Sequence, residues 1–274
     1  MHPRVVSLLA LSSPLLAACA GAPPALEYRV PAPAAVRYAH GDTSTVGISV
    51  MGQSMEMSQR GSARYAVAFA PAPGGVSVTL TVSELSGTLT QPLGPPVRMD
   101  ESDVDGPLVF SLDRTGNAVI AERPDVEVGA SQMVSGFALA HGFFPGLPGR
   151  AAAVGDVWVD TVRYEGAEGA GSRSETAVLR YTVAGDTVVA GRDLLRIDVE
   201  GESETSAELE VAGMTVSQRS RMEIRGWVLW DLEAGLMFER RSESTGRGTA
   251  SVPMAPNPIP IQIRSRQHTR LEGS

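Results

Sequence analysis

Long runs of alternating apolar and polar residues are the feature of this 274-residue chain that most limits its fold. Tyr65, Val67 and Phe69 alternate with small or polar residues, and residues 76–82 show the same period of two. This period is typical of a β-strand with one buried face. Proline and glycine residues at 71–75 separate the two runs, which predicts a long hairpin.

Further hairpins follow from the same signals on both sides of this one. Residues 43–50 and 54–60 predict a hairpin, and residues 109–112 and 118–121 predict another around a glycine-bearing turn. Strands are expected in the second half of the chain at 158–164, 176–183, 187–200, 206–212, 215–230, 235–245 and 259–271. Gly185-Asp186, Ala212-Gly213 and residues 233–235 are predicted to form tight turns between them.

The predicted fold is mainly β, with about a dozen strands in one large curved antiparallel sheet, a half-barrel, that wraps one short helix. Strands of ten or more residues, about 33 Å each, favour a broad curved sheet over a compact sandwich. The helix is predicted at about 130–141, where Met133, Val134, Phe137 and Leu139 form one apolar side, although Gly136 weakens it.

The amino-terminal residues have the layout of an export signal. Arg4 precedes an apolar stretch from residue 5 to residue 16, and small residues follow at 17 and 18. The stretch is too short for a stop-transfer helix. A secretory signal with an incidental cysteine is the plainer alternative.

Leu16-Ala17-Ala18-Cys19 resembles the lipobox of bacterial lipoproteins. The resemblance implies cleavage before Cys19 and attachment of acyl chains such as palmitate to its sulfur. It implies a signal peptide at 1–18 and a lipidated Cys19. The proline- and alanine-rich residues that follow predict an extended tether, which with Cys19 covers 19–35, and the strand pattern from Val36 predicts a single antiparallel β domain at 36–274. By the sorting rule of such lipoproteins, Ala20 in place of aspartate favours the outer membrane, facing the periplasm.

Charge and histidine content restrict the partners and the chemistry. The formal charge of −8 becomes −9 when Arg4 is removed with the signal, so nucleic acid and anionic lipid head groups are expected to be poor partners. His40, His141 and His268 have no His-Glu-x-x-His spacing, and no Gly-x-Ser-x-Gly or phosphate loop is present. Cys19 is the sole cysteine. We therefore expect a chain that is not an enzyme and needs no cofactor.

An acidic run at 100–106 is the best candidate for a cation site. Aligned on an EF-hand loop, Glu101, Asp103 and Asp105 fill the first three ligand positions and Gly106 the turn. Leu112 stands where the bidentate glutamate should be. An acidic, solvated loop is therefore the favoured interpretation, and no metal is expected.

Aromatic residues are candidates for a hydrophobic binding site on the concave side of the sheet. With 14 aromatic residues in the chain, most are expected to be needed for the core. A ligand pocket and a plain core under the helix are the two interpretations. The candidates are Phe137, Phe143, Phe144, Trp158, Trp227 and Trp230.

Long antiparallel strands with a central helix resemble the half-barrels of bacterial lipoprotein carriers (the LolA and LolB type). Residues 144–148 and Gly155-Asp156-Val157-Trp158 are also similar to a connector in uncharacterised lipoproteins of that shape. The leading hypothesis is a membrane-anchored, non-enzymatic envelope lipoprotein that binds a hydrophobic ligand or an envelope partner. A structural scaffold is the alternative, and a metal-dependent hydrolase is the least favoured.

Overall fold

The computed structural model describes residues 25–50, 53–92, 94–127, 129–136, 138–168, 171–211, 214–253, 255 and 257–273. In the described part of the chain, no helical segment has the length and apolar character needed to cross a bilayer. Cys19 and the tether up to residue 24 lie outside the described residues.

The described chain is built mainly of long antiparallel strands. Its strands are β1 Ala25–Leu26, β2 Ala35–Val50, β3 Gln53–Ala72, β4 Gly75–Thr90, β5 Val97–Asp100, β6 Val104–Asp105, β7 Leu108–Asp113, β8 Ala118–Glu122, β9 Asp125–Val126, β10 Arg150–Ala151, β11 Val157–Glu168, β12 Gly171–Val189, β13 Arg192–Val211, β14 Met214–Asp231, β15 Leu236–Ser251 and β16 Ile259–Glu272.

One twelve-stranded sheet contains most of these strands. Its order is β11-β12-β13-β14-β15-β16-β2-β3-β4-β7-β8, and β5 also pairs with β4. Neighbours along this order are mostly joined by hairpins, whereas β16 and β2 come from opposite ends of the described chain. The sheet is open, with β11 and β8 as its edges, and the predicted half-barrel of about a dozen strands is confirmed.

The three predicted hairpins of the first half are present. Val67 faces Leu80 in the β3–β4 pair, which turns at Pro73-Gly74. The β2–β3 pair extends to Val50 and Gln53, and β7 pairs with β8.

The turn predicted at Gly185-Asp186 is wrong. Both residues lie inside β12, where the register shifts between Val183 and Gly185, so Gly185 belongs to a β-bulge. The chain reverses instead at Ala190-Gly191, whose φ angles of 52° and 78° suit a two-residue hairpin turn.

The predicted helix consists of two short helical turns and not one continuous α-helix. A 3-10 turn covers Ala130–Gln132, and a π-helical turn covers Ala138–Gly142. Gly136 lies between them, where its lack of a side chain weakens helix propagation. Phe137 is outside the described residues.

The core lies on the concave face at the end of the sheet where β2 begins and β3 ends. Tyr38 and Tyr65 face each other there and are fully buried. Phe143 and Phe144, after the π-helical turn, insert between these strands and β7. The connecting segment thus covers one half of the concave face, and the rest of that face continues beyond the core.

Candidate functional site

Three of the predicted aromatic residues meet in the core. The rings of Phe143 and Phe144 lie 4.9 Å apart, and Tyr28 contacts both Phe144 and Trp230 edge to face. Phe143, Phe144 and Trp230 are each no more than 5% exposed. Because these rings pack on one another, they act as core, and burial of such rings stabilises the fold by about 1.5–3 kcal/mol each.

Two further predicted aromatic residues, Trp158 and Trp227, are partly buried at the margin of the core. Trp158 stacks on Tyr181 at 5.3 Å and donates a hydrogen bond of 3.0 Å from Nε1 to the carbonyl of Gly146. Trp227 lies on the outer face, between the guanidinium groups of Arg196 and Arg241. The six candidates therefore do not form one pocket, and Phe137 lies outside the described residues.

The acidic loop does not assemble a cation site. Glu101 and Asp103 belong to a 3-10 turn capped by Asp100, and the Asp103 carboxylate accepts a hydrogen bond from the Asp100 amide. Asp105 pairs with Asp125 between β6 and β9. Among the described residues, no group of three or more His, Cys, Asp or Glu side chains could hold a metal ion.

A polar belt crosses the concave face just beyond the aromatic core. It comes from inward positions of β2, β3, β15 and β16, which the register places in neighbouring rows. We define the polar belt as His40, Asp42, Gln59, Ser242, Ser265, Gln267 and Thr269. It separates the packed core from the open half of the concave face.

His40 is held at the border between the core and the belt. Its Nδ1 lies 2.8 Å from the Thr269 hydroxyl, and its ring lies 5.8 Å from that of Tyr65. Burial lowers the pKa of His40 to about 4, and the charges of Arg240 and His268 act in the same direction. His40 is therefore neutral at pH 7.

Asp42 lies in the belt, and two buried polar groups in or beside the belt have no hydrogen-bond partner among the described residues. Burial raises the pKa of Asp42, while hydrogen bonds with Gln267 and Ser265 oppose that change. Gln59 Nε2 and the Tyr65 hydroxyl are buried without a hydrogen-bond partner among the described residues. Leaving such buried groups unpaired costs free energy, and their burial keeps a ligand from reaching them directly.

Arg240 connects the polar belt to the π-helical turn and to Phe143, which follows it. It projects inward from β15 and donates hydrogen bonds to the carbonyls of Gly142 and Phe143. This arrangement ties the π-helical turn to the centre of the sheet.

An apolar strip lies beyond the belt on the same face. Val46 lies opposite both Met57 and Ile263, and Ile48 lies opposite Met55 and Ile261. Most of these side chains are half-buried and do not belong to the core cluster. We define the apolar strip as Val46, Ile48, Met55, Met57, Met222, Ile261 and Ile263.

Two glycines on β15 lie within the apolar strip, between its residues on β14 and β16. Gly246 lies between Ile263 and Met222, and Gly248 lies beside Ile261. Because neither has a side chain, the concave surface is recessed there. The belt and the strip together give an amphipathic surface that the aromatic pattern did not predict.

The comparisons with known proteins show no family. No protein-family model matches the chain. None of the curated proteins matches it. Among solved structures, it is similar to one described as the crystal structure of Pseudomonas aeruginosa OccK2 (OpdF) in complex with glucuronate, with 7% identity, a TM-score of 0.23, and coverage of 87% of this chain and 98% of that chain. A TM-score this low carries no argument about this chain.

Proposed function

We propose that this chain is a non-enzymatic lipoprotein of the cell envelope, anchored through lipid on Cys19, whose concave face binds an amphiphilic ligand. The lipobox-like Leu16-Ala17-Ala18-Cys19 supports the anchor, and Ala20 supports the outer membrane, facing the periplasm. The ligand proposal rests on one observation. Half-buried apolar side chains line the concave face outside the core.

The aromatic core, the polar belt and the apolar strip follow one another along the concave face, and this order suits an amphiphilic ligand. An apolar chain would lie along the strip, over the recess at Gly246 and Gly248, where it removes apolar surface from water. Its polar end would lie against the belt, where His40, Ser265 and Gln267 carry hydrogen-bonding groups at half-buried or exposed positions. The aromatic core lies next to the belt on the same face and supports it.

A fluorescent fatty acid tests this proposal. Full-length protein in mild detergent should bind a pyrene-labelled fatty acid saturably, and native mass spectrometry should show a bound lipid. The double variant V46Q/I263Q places amides on the strip and should weaken binding at least about thirtyfold, since each of the two lost apolar contacts is worth roughly 1 kcal/mol or more.

The matched control is Thr245→Gln, at an exposed outward position of β15. It adds an amide to the opposite face and should bind as the wild type does. Binding that does not saturate, or equal binding by V46Q/I263Q and wild type, would remove the ligand proposal.

A scaffold role is the second candidate, and the free edge of the sheet favours it. Val157 and Val159 on β11 are 37% and 61% exposed, and Val178 on β12 is 46% exposed. An open edge beside exposed valines is suited to pairing with a strand of another protein. Crosslinking in cells separates the candidates, because a carrier yields lipid adducts while a scaffold yields one dominant protein.

A further inference from the structure

The outer face of the sheet has a charge opposite to that of the whole chain. Eleven arginines and five glutamates occupy outward positions on the neighbouring strands β14, β15, β16, β2 and β3. The whole chain has 23 basic and 31 acidic residues. We call the outer side of these five strands the basic face. The net charge of the whole chain, from which poor binding of nucleic acid and anionic lipid head groups is predicted, does not show this local excess of positive charge.

A groove of about 580 Å³ crosses the strands at one side of the basic face. Its first wall is a cross-strand row in which Arg219 lies between Ser206 and Thr249. Arg219 has no carboxylate at ion-pair distance in the described part of the chain. The wall therefore presents a free guanidinium flanked by two hydroxyls.

The second wall places two like charges opposite each other. Arg221 faces Arg247 in the β14–β15 register. Arg221 pairs with Glu202 and lies 3.7 Å from Glu204, whereas Arg247 has no carboxylate at ion-pair distance among the described residues. Glu202 and Glu204, of which Glu204 also lines the groove, already offset the charge of Arg221. The uncompensated positive charge on this wall is therefore that of Arg247, and a bound anion would pair with it.

We propose that the groove and the basic face bind an anionic polysaccharide. Guanidinium groups recognise its phosphate, sulfate or carboxylate groups, and the serine and threonine hydroxyls match its hydroxyls. Among the described residues, no aromatic side chain lines the groove, so nucleic-acid bases have no ring on which to stack there. Its polar lining also does not suit insertion into a bilayer.

Fluorescein-labelled dextran sulfate tests the proposal, with uncharged labelled dextran as the matched polymer. The full-length protein in detergent should bind dextran sulfate and not dextran, with an affinity that falls as salt rises. The double variant R219Q/R247Q should bind about tenfold more weakly at low salt, with a shallower salt dependence. The variant R98Q/R180Q removes the same charge from exposed positions on β5 and β12 and should bind as the wild type does.

Equal weakening by both double variants would overturn the proposal, because only net charge would then matter. Binding to phosphatidylglycerol vesicles or duplex DNA without binding to dextran sulfate would also overturn it. Hydrogen exchange on the wild type locates the binding site without any variant, so its result does not depend on whether the variants fold. Dextran sulfate should protect amides near Arg219 and Arg247, and protection confined to other strands would contradict the groove.

Discussion

The enclosure of His40 predicts a measurable dependence of stability on pH. Its pKa is about 4 in the folded chain and about 6.5 in the unfolded chain. The fold therefore favours the neutral ring. This contribution is fully present above pH 6.5 and is lost as the pH falls through 4.

The size of this loss follows from the two pKa values. One pKa unit corresponds to about 1.36 kcal/mol, so His40 should remove about 2 kcal/mol of unfolding free energy by pH 5 and about 3 kcal/mol by pH 4. In the variant His40→Gln, which cannot titrate, this part of the loss is absent. The other titrating groups contribute to both proteins and cancel in the difference.

Urea unfolding of both proteins between pH 7.5 and pH 4 measures the effect. The stability gap between wild type and His40→Gln should move by about 3 kcal/mol in favour of the variant. The control Thr245→Gln, at an exposed position on the outer face, should keep the wild-type loss because His40 and the charges around it are unchanged. Parallel curves for wild type and His40→Gln, within about 0.5 kcal/mol, would refute the enclosure of His40.

Two further predictions concern the core and the close approach of strands. Phe144→Ala should lower the unfolding free energy by about 3–5 kcal/mol in urea unfolding because the ring is buried among other rings, whereas Val119→Ala, at a position 67% exposed, should change it by less than about 0.5 kcal/mol. Gly201→Ala should cost about 1–3 kcal/mol because a Cβ there would collide with the carbonyl oxygen of Val178, while Gly142→Ala has open space and should melt with the wild type.

The hairpins were predictable because their information is local. Val67 and Leu80 lie in alternating runs on each side of a proline-glycine turn, so period and turn chemistry agree. Gly185-Asp186 has the same local appearance but becomes a bulge. The register is set instead by the turn at Ala190-Gly191, and the two sites could not be ranked from residue types alone.

The aromatic candidates show what could have been inferred and what could not. Trp227 and Trp230 are three residues apart, and in a strand this spacing places them on opposite faces, a signal that was available in the sequence. The pairing with β13 decides which side is buried, because Val228 lies opposite the fully buried Ile197. Trp230 is therefore on the buried side and Trp227 on the outer side.

The polar belt was hidden for a different reason. His40 and Asp42 look like outward residues because they are polar, and their partners lie far away in the chain. The His40 ring meets Thr269, 229 residues later, and Asp42 lies near Ser265. Their inward orientation follows from the unbroken alternation with Tyr38 in β2. Their partners on β16 are set by a pairing that no local pattern encodes.

The pairing of β2 with β16 also bears on how the chain folds. The other long pairs of the sheet are hairpins, which close short loops and form within microseconds to milliseconds. The β2–β16 seam instead closes a loop of more than two hundred residues, from Ile48 to Ile261. We therefore expect two meanders to form independently and to meet at this seam, so that the concave face with its belt is completed in the last step of folding.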